Sequence, residues 1–373
     1  MALQPIEDKA LRYDHIIGTG GIGSGMVFSF PDAHTLGRNE SRLARLEPFR
    51  DYCKQHIILH YISVLLGYGQ LGFKTHPIGA VGNDDVGKKL ILEMQEAGLD
   101  TKAISISKKN RTMFSVCYQY PDFSGGNITT NNSACEEVSP EHIKAFYKNY
   151  TKNGKNAIVL AAPEVPLSTR IELLKYGRKE KSLNVACILS SEISDFQKMK
   201  GFQLTDILSI NRDEALKIAG KESTENFLDV IKECIKVLST QNDSLIILMT
   251  DGANGSYCYQ YGNLEFTPAL PTKVASTAGA GDAFLSGVLT GLCCGLPLQK
   301  GFETATLAEK PLATAIELGA LLASMSVTSA NTIHFGVNAF NIKEYATQHS
   351  LTFGSVFSII FNDWDTKTIK NEL

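Results

Sequence analysis

Short apolar runs alternate with amphipathic stretches of helical length along most of this chain. That alternation, more than any single motif, limits how the chain can fold. From Glu141 onward a helix precedes the strand-like NAIVLAAPEVP, a helix over STRIELLKYGRKE and the strand-like NVACILS. After another helix come DILSI, the helix EALKIAG opened by Asn211-Arg212-Asp213-Glu214, and SLIILMT running into Asp251-Gly252-Ala253-Asn254-Gly255. A hairpin-like SYCYQYGNLEFTPAL follows, and two helical regions are expected over 302–309 and 312–330. Strands joined through helices run parallel, and the helices cover both faces of the sheet. The expected fold is therefore α/β: three α/β/α layers around a mostly parallel sheet, with ligands at the strand C-terminal ends.

The first third of the chain is less regular. DHIIG reads as a buried strand, MVFSF as a second one closed by Pro31, and HPIGAVGNDDVGKKLILEMQEAGLD as strand, loop and helix. RNESRLARLEPFRDY is a basic–acidic helix candidate, followed by the apolar helix HIILHYISVLLGYGQLG. Residues 103–133 interrupt the alternation: TMFSVCYQY alternates in strand fashion, with turns at Pro121-Asp122 and Gly125-Gly126. Together with about 24–36 this stretch is expected to form a small β lid over a site, and its strand edges call for cover by a second copy. One domain is expected over 8–345. A C-terminal extension, 346–373, holds one apolar strand-like run and a charged end.

Composition excludes several classes of function. A hydrophobic fraction of 43% with 20% charged residues in 373 gives a sizeable core, and a net charge of −3 offers no attraction to nucleic acid or an anionic membrane. No apolar run approaches the roughly 20 residues of a membrane span, and MALQPIEDKALRYD lacks the pattern of a signal peptide. Eight scattered cysteines without C-x-x-C suit buried, reduced thiols and a cytoplasmic location.

Four motifs carry candidate chemistry. Gly18, Gly20 and Gly23 fit G-x-G-x-x-G, but a dinucleotide site needs a helix next, and strand-like MVFSF stands there. His56 and His60 have the i, i+4 spacing of helix-borne zinc ligands, yet Ile57 replaces the glutamate of H-E-x-x-H, so partly buried histidines on a helix face are expected. Gly82 to Lys89 approaches a P-loop with a lysine where the magnesium-binding hydroxyl belongs, and Asp84 and Asp85 would oppose phosphate. The fourth, Gly279-Ala280-Gly281-Asp282, opens a helix. Bare amides and the helix dipole suit an anion there, and an adjacent carboxylate suits a base towards a hydroxyl. A glycine-rich turn with Asp282 as an N-cap is the plainer alternative.

Taken together the motifs resemble the ribokinase-like carbohydrate kinases, the phosphofructokinase B-type family, over about residues 14 to 340. Ser276-Thr277-Ala278-Gly279-Ala280-Gly281-Asp282 resembles D-T-x-G-A-G-D, and IGAVGNDDVG resembles I-G-x-V-G-x-D-x-x-G. Asn211-x-x-Glu214 is similar to N-x-x-E, and Thr250-x-Gly252-x-x-Gly255 to T-x-G-x-x-G. The resemblance implies an ATP- and Mg²⁺-dependent kinase. Asp282 would be the base, and the amides of Gly279, Ala280 and Gly281 the anion hole. Asn211, Thr250, Gly252, Gly255 and Thr277 would bind nucleotide, and Glu214 would hold Mg²⁺ through water. Ser276 replaces the acid tied in the family to a monovalent cation. On the acceptor side Gly21 and Gly25 stand where the family has acids, and Ile58, Leu59 and Ser63 replace G-G-x-x-x-N. The resemblance implies that Glu164 faces the acceptor, with His56, His60, Tyr61 and Ser63 lining a changed pocket. The expected acceptor is a sugar, nucleoside or polyol, and the expected assembly is a homodimer paired through the lid. A binding or regulatory protein on the same fold is the other reading.

Overall fold

The structure is a computed structural model that describes residues 2–6, 10–68, 70–122, 124–150, 156–222, 226–300 and 310–361. Among them nine strands form the main sheet, in the order β13-β12-β11-β10-β9-β8-β1-β4-β5. These are β1 (His15–Thr19), β4 (Lys74–Gly82), β5 (Ile104–Ser107), β8 (Ala157–Ala161), β9 (Leu183–Cys187), β10 (Ile207–Asn211), β11 (Ile246–Thr250), β12 (Ser256–Gln260) and β13 (Asn263–Thr267). All pair in parallel except the β11–β12 and β12–β13 hairpins at one edge. HIIGT and AIVLA are buried at every position, as strands covered on both faces require. The chain lays β4 and β5 to one side of β1, then returns to lay β8 to β11 on the other. The β1/β8 boundary is thus the point where strand order reverses, and there the C-terminal edge opens into a crevice.

Among the described residues twelve helices flank the sheet: α1 (Lys54–Leu65), α2 (Asp85–Glu96), α3 (Pro140–Asn149), α4 (Leu167–Lys179), α5 (Ile193–Lys198), α6 (Gly201–Leu204), α7 (Arg212–Ala219), α8 (Phe227–Ser239), α9 (Ala280–Cys294), α10 (Ala315–Ser326), α11 (Ala339–Gln348) and α12 (Ser355–Ile359). Two clusters of buried apolar side chains divide the helices between the faces. One packs α1, α9 and α10 beneath the sheet, and the other packs α4, α7 and α8 above it. The helix expected over 302–309 falls outside the described residues, while that over 312–330 appears as α10. No helix among the described residues is long and apolar enough to cross a membrane.

A second sheet, β3-β2-β6-β7, forms the lid from β2 (Gly23–Ser29), β3 (Arg45–Tyr52), β6 (Met113–Gln119) and β7 (Gly125–Thr129). Two expectations are corrected here. The helix read over RNESRLARLEPFRDY ends instead in strand β3, because Pro48 cannot donate within a helix. On an edge strand that missing donor is harmless, and the pairing skips register between Met26 and Phe28 opposite this stretch. The lid also does not begin at 103: Ile104–Ser107 joins the main sheet beside β4, and only β6 and β7 cross into the lid. The strand-like run in the tail is likewise α12, whose Phe357 stacks on Phe353 and meets Phe361 at a tilt. The Ile360 carbonyl accepts from the Gln4 amide, so the tail and the N-terminal segment close on one another.

Candidate active site

Parallel pairing aligns Asn211 with Thr250 at the ends of β10 and β11, so both reach the C-terminal edge together. Asn211 Oδ1 accepts from the Glu214 amide at 2.9 Å and Glu214 Oε2 accepts from the Asn211 amide at 2.7 Å, a reciprocal cap that starts α7. The sequence pattern therefore has a local structural use, and Glu214 nonetheless lines the cleft. Burial raises its carboxyl above the ordinary glutamate value. After Thr250 the chain turns through Gly252 and Gly255, with φ of 54° and 121°. A Cβ on Gly255 would run into the Thr267 carbonyl, so only glycine fits. Asp251 is held by Arg212 at 2.8 Å, a pairing that motif reading missed.

Facing these loops is the start of α9. Gly279 has φ of 78°, and a Cβ there would lie 2.7 Å from the Thr332 carbonyl oxygen. The Ala280 amide donates to the Thr277 carbonyl at 3.2 Å, so it is not available to an anion as the sequence suggested. No described residue accepts from the backbone amides of Gly281 or Asp282. A Cβ on Gly281 would meet only Thr250 Oγ1, at 3.7 Å, so the main chain there lies open. Asp282 is 7% exposed, and its Oδ1 accepts from Lys54 Nζ at 3.2 Å. The Asp282 carboxylate keeps the Lys54 ammonium protonated well beyond the usual lysine range. Lys54 was overlooked in the sequence, although a cation in the first turn of an apolar helix opposes the helix dipole and signals a partner elsewhere.

These residues border one cleft of about 870 Å³, lined by Lys54, Asn211, Glu214, Thr250, Gly252, Gly255, Thr277, Gly279, Ala280, Gly281 and Asp282. Its far wall is apolar, with Leu270, Val274, Ala320 and Val327. Among the described residues no group of three or more histidine, cysteine or carboxylate side chains forms a metal cage. A magnesium ion that keeps most of its waters and takes phosphate oxygens asks for one or two carboxylates, and Glu214 fits that demand.

The acceptor-side residues are placed differently from one another. Gly21 follows β1 and lies against Glu164, which follows β8; a Cβ on Gly21 would sit 2.6 Å from Glu164 Cβ. Burial pushes the Glu164 carboxyl up to about 7, and its Oε2 is buried without a partner. Gly25 lies in the lid, opposite Asp51 and Ser115. Ser63 does not join them. It sits near the C-terminal end of α1 and donates to the Ala97 carbonyl at 2.5 Å, more than two helical turns from Lys54. His56, His60 and Tyr61 are buried in the helix packing: both ring nitrogens of His56 lack partners, His60 packs edge-on against Phe335, and the Tyr61 hydroxyl accepts from the His334 amide. Gly20 has its own packing reason, since a Cβ would meet Ala162 at 2.8 Å and Gln55 at 2.9 Å. No helix follows Gly23, which opens β2, so the dinucleotide pattern has no phosphate-binding terminus. Asp84 caps α2 and accepts from the Thr112 amide and hydroxyl, which accounts for the P-loop look-alike.

A family model described as pfkB family carbohydrate kinase matches residues 62–338. A ribokinase of Haemophilus influenzae is 26% identical over 267 residues, 69% of this chain and 77% of that protein. A 5-dehydro-2-deoxygluconokinase of Bacillus velezensis is 22% identical over 252 residues, covering 65% of this chain and 74% of its own length. Among solved structures, a ribokinase from Cryptococcus neoformans var. grubii in complex with ADP superposes with a TM-score of 0.68 at 18% identity, over 89% of this chain and 99% of that one. The likeness lies in the α/β fold, a large, mostly parallel sheet flanked by helices.

Proposed function

The chain belongs to the pfkB family of carbohydrate kinases, and from that premise we propose that it transfers the γ-phosphoryl group of ATP to a hydroxyl of a small-molecule acceptor. The observation that carries this reading is a single juxtaposition. The Asp282 carboxylate stands beside the unpartnered amides of Gly281 and Asp282, at the mouth of a cleft large enough for a nucleotide. Phosphoryl transfer needs in-line placement, relief of charge on the equatorial oxygens and a group to accept the hydroxyl proton. The amides at the positive end of α9 supply fixed dipoles towards the transferred group. Asp282 receives the proton of the acceptor hydroxyl. Lys54 holds that carboxylate in place and adds a positive charge where phosphate negative charge arrives.

On the nucleotide side, Thr250, Gly252 and Gly255 let the backbone approach the phosphates, Asn211 shapes the start of α7, and the wall around Val274 and Val327 receives the base. Mg²⁺ would be held near Glu214 through water and supplies neutralisation of the phosphate oxygens. Glu164 and Gly21 sit across from Asp282 on the acceptor side. The lid carries exposed apolar side chains on its outer face, which supports a homodimer paired there.

The test is ADP release from ATP with a panel of acceptors: ribose, fructose, inosine, glycerol and gluconate. Transfer to at least one is expected, with a loss of about 100-fold or more in kcat for Asp282→Asn. Turnover untouched by that substitution would remove Asp282 as the base. A second reading, a binding or regulatory protein, draws on the glycines at 21 and 25. ATP binding by calorimetry without ADP release for any acceptor would favour it.

A further inference from the structure

Between Thr267, the end of β13, and Ala280, the start of α9, the chain forms neither strand nor helix. This stretch carries Pro271, Thr272 and Val274 along the cleft. Val274 is 48% exposed, an apolar side chain on the wall that the reading above gives to the nucleotide base. A wall with no ladder or helical bonds of its own keeps its shape through bonds to its neighbours. One such tie lies beyond Val274, where the amides of Ala275 and Ser276 donate to the Val327 carbonyl just past α10, at 2.7 and 3.3 Å. The tie before Val274 comes from α11.

The Tyr345 hydroxyl lies 2.8 Å from Thr272 Oγ1 and 3.2 Å from the Ser324 carbonyl oxygen. A carbonyl only accepts, so the tyrosine proton goes to Ser324 and the Thr272 hydroxyl donates its own to the tyrosine oxygen. The result is a chain from Thr272 through Tyr345 to Ser324, in which each bond polarises the next. The Ser324 carbonyl is one that the end of α10 leaves over, because the Thr328 amide turns back to the Met325 carbonyl instead. Thr272 and Ser324 both line the cleft, whereas Tyr345 is buried behind them. Its helix is anchored separately, since Ile342 and Ala346 enter the same apolar cluster as α10. α11 begins at Ala339, one residue beyond the span that the family model matches.

We propose that Tyr345 is a positioning residue for nucleotide binding: through Thr272 it pins the irregular wall around Val274 to α10, and so fixes the surface on which the base of ATP packs. The inference rests on the kinase reading above and adds a determinant that lies outside its motifs. Ordering a loose wall on binding costs affinity, and a wall held in advance avoids that cost. The phosphates are received elsewhere, at the open amides of Gly281 and Asp282. Loss of the Tyr345 tie therefore weakens the base end of the site and spares the phosphate end.

The test uses the full chain and compares the parent with Tyr345→Phe, Thr272→Val and the double variant. Calorimetry gives the Kd of ATP with Mg²⁺, and competition against ATP gives that of tripolyphosphate with Mg²⁺, which has no base. Each single substitution is expected to raise the ATP Kd about fivefold, the scale of one neutral hydrogen bond. The double variant is expected to match the singles within about twofold, because both break one chain. The tripolyphosphate Kd is expected to stay within about twofold of the parent's. In turnover the change appears in the ATP KM rather than in kcat. An unchanged ATP Kd in Tyr345→Phe overturns the inference. So does an equal weakening of ATP and tripolyphosphate, the mark of a general loss of structure, or a double variant in which the two effects multiply. Should Tyr345→Phe lower the thermal midpoint, Thr272→Val decides the matter, since it leaves α11 intact. A parent that binds ATP but transfers to no acceptor sinks the kinase reading, while the comparison of ATP with tripolyphosphate still decides the inference.

Discussion

Glu164 holds φ at 76°, a left-handed conformation that costs a non-glycine residue on the order of 1 kcal/mol or more. It also keeps a carboxyl group where burial pushes its titration up to about 7. Both features work against stability. The folded carboxyl keeps its proton up to about 7, whereas the unfolded chain releases it near 4.5. Between those values the folded state binds more protons, so stability falls as pH rises through the window and the loss is complete above it. Glu164→Gln removes the ionisation and keeps the shape. At pH 8 its thermal midpoint is expected above the parent's, by a difference worth roughly 2–3 kcal/mol, and at pH 4 the two should coincide. Acceptor KM should rise in the same variant, because a carboxylate that a hydroxyl would meet has gone. A stabilised protein that binds its acceptor worse marks a residue retained for use. Equal midpoints at pH 8 would mean that the carboxyl finds solvation in the folded protein.

α1 shows the same conflict along a whole element. Its first residue, Lys54, opposes the helix dipole and is balanced by Asp282 on α9; further along, His56 and His60 lie inside the packing. Burial drives His56 down to about 3 and His60 down to about 4, so both are neutral in the folded chain. Unfolded histidines take up protons near 6.5. As pH falls below that value the unfolded state binds protons the folded state refuses, and each such proton removes about 1.4 kcal/mol per pH unit. The thermal midpoint is therefore expected to drop steeply between pH 6.5 and pH 4. His56→Leu should flatten that slope by about one proton's share, with little effect at pH 8. An identical slope would show that His56 is hydrated in the folded state. The burial of His56 and His60 was legible in their place on an apolar helix, whereas their lack of partners was not, because it depends on what packs against them. Local segments were legible: the caps at Asn211, the Gly255 turn and the Gly-Ala-Gly-Asp loop each depend on neighbours within a few residues. On the acceptor side Gly21, Gly25 and Glu164 were named from the sequence, but the neighbours that fill the space at the two glycines were not, because Glu164, Asp51 and Ser115 reach them from separate strands. β3 was misread because its charge pattern suits a helix and only the edge position makes Pro48 tolerable.

At the scale of the whole molecule the lid has two unlike faces, and period-two alternation decides which residues share each. The row of Asp51, Gly25 and Ser115 faces inward, with Ser115 7% exposed. The next row, Arg50, Met26 and Val116, with Ile128 opposite Val116, points the other way, and Leu46 opposite Phe28 continues it. Met26, Leu46 and Ile128 are 45%, 53% and 70% exposed, so the outer face presents apolar side chains to solvent. β3 and β7 are moreover the open edges of this sheet. A sheet with an apolar outer face and two free edges gains by pairing with a copy of itself, and isologous pairing is the commonest closed arrangement. Light scattering at micromolar concentration is expected to give twice the chain mass of 40.7 kDa. Ile128→Lys places a charge in that face without touching the inner row, and it should shift the mass towards the monomer. Because β2 and β6 carry both rows, loss of the partner should also loosen the inner one, and the acceptor KM should rise while the ATP KM holds. A parent at monomer mass across that range removes the dimer. A monomeric Ile128→Lys with an unaltered acceptor KM would show that the inner row keeps its geometry without the second copy.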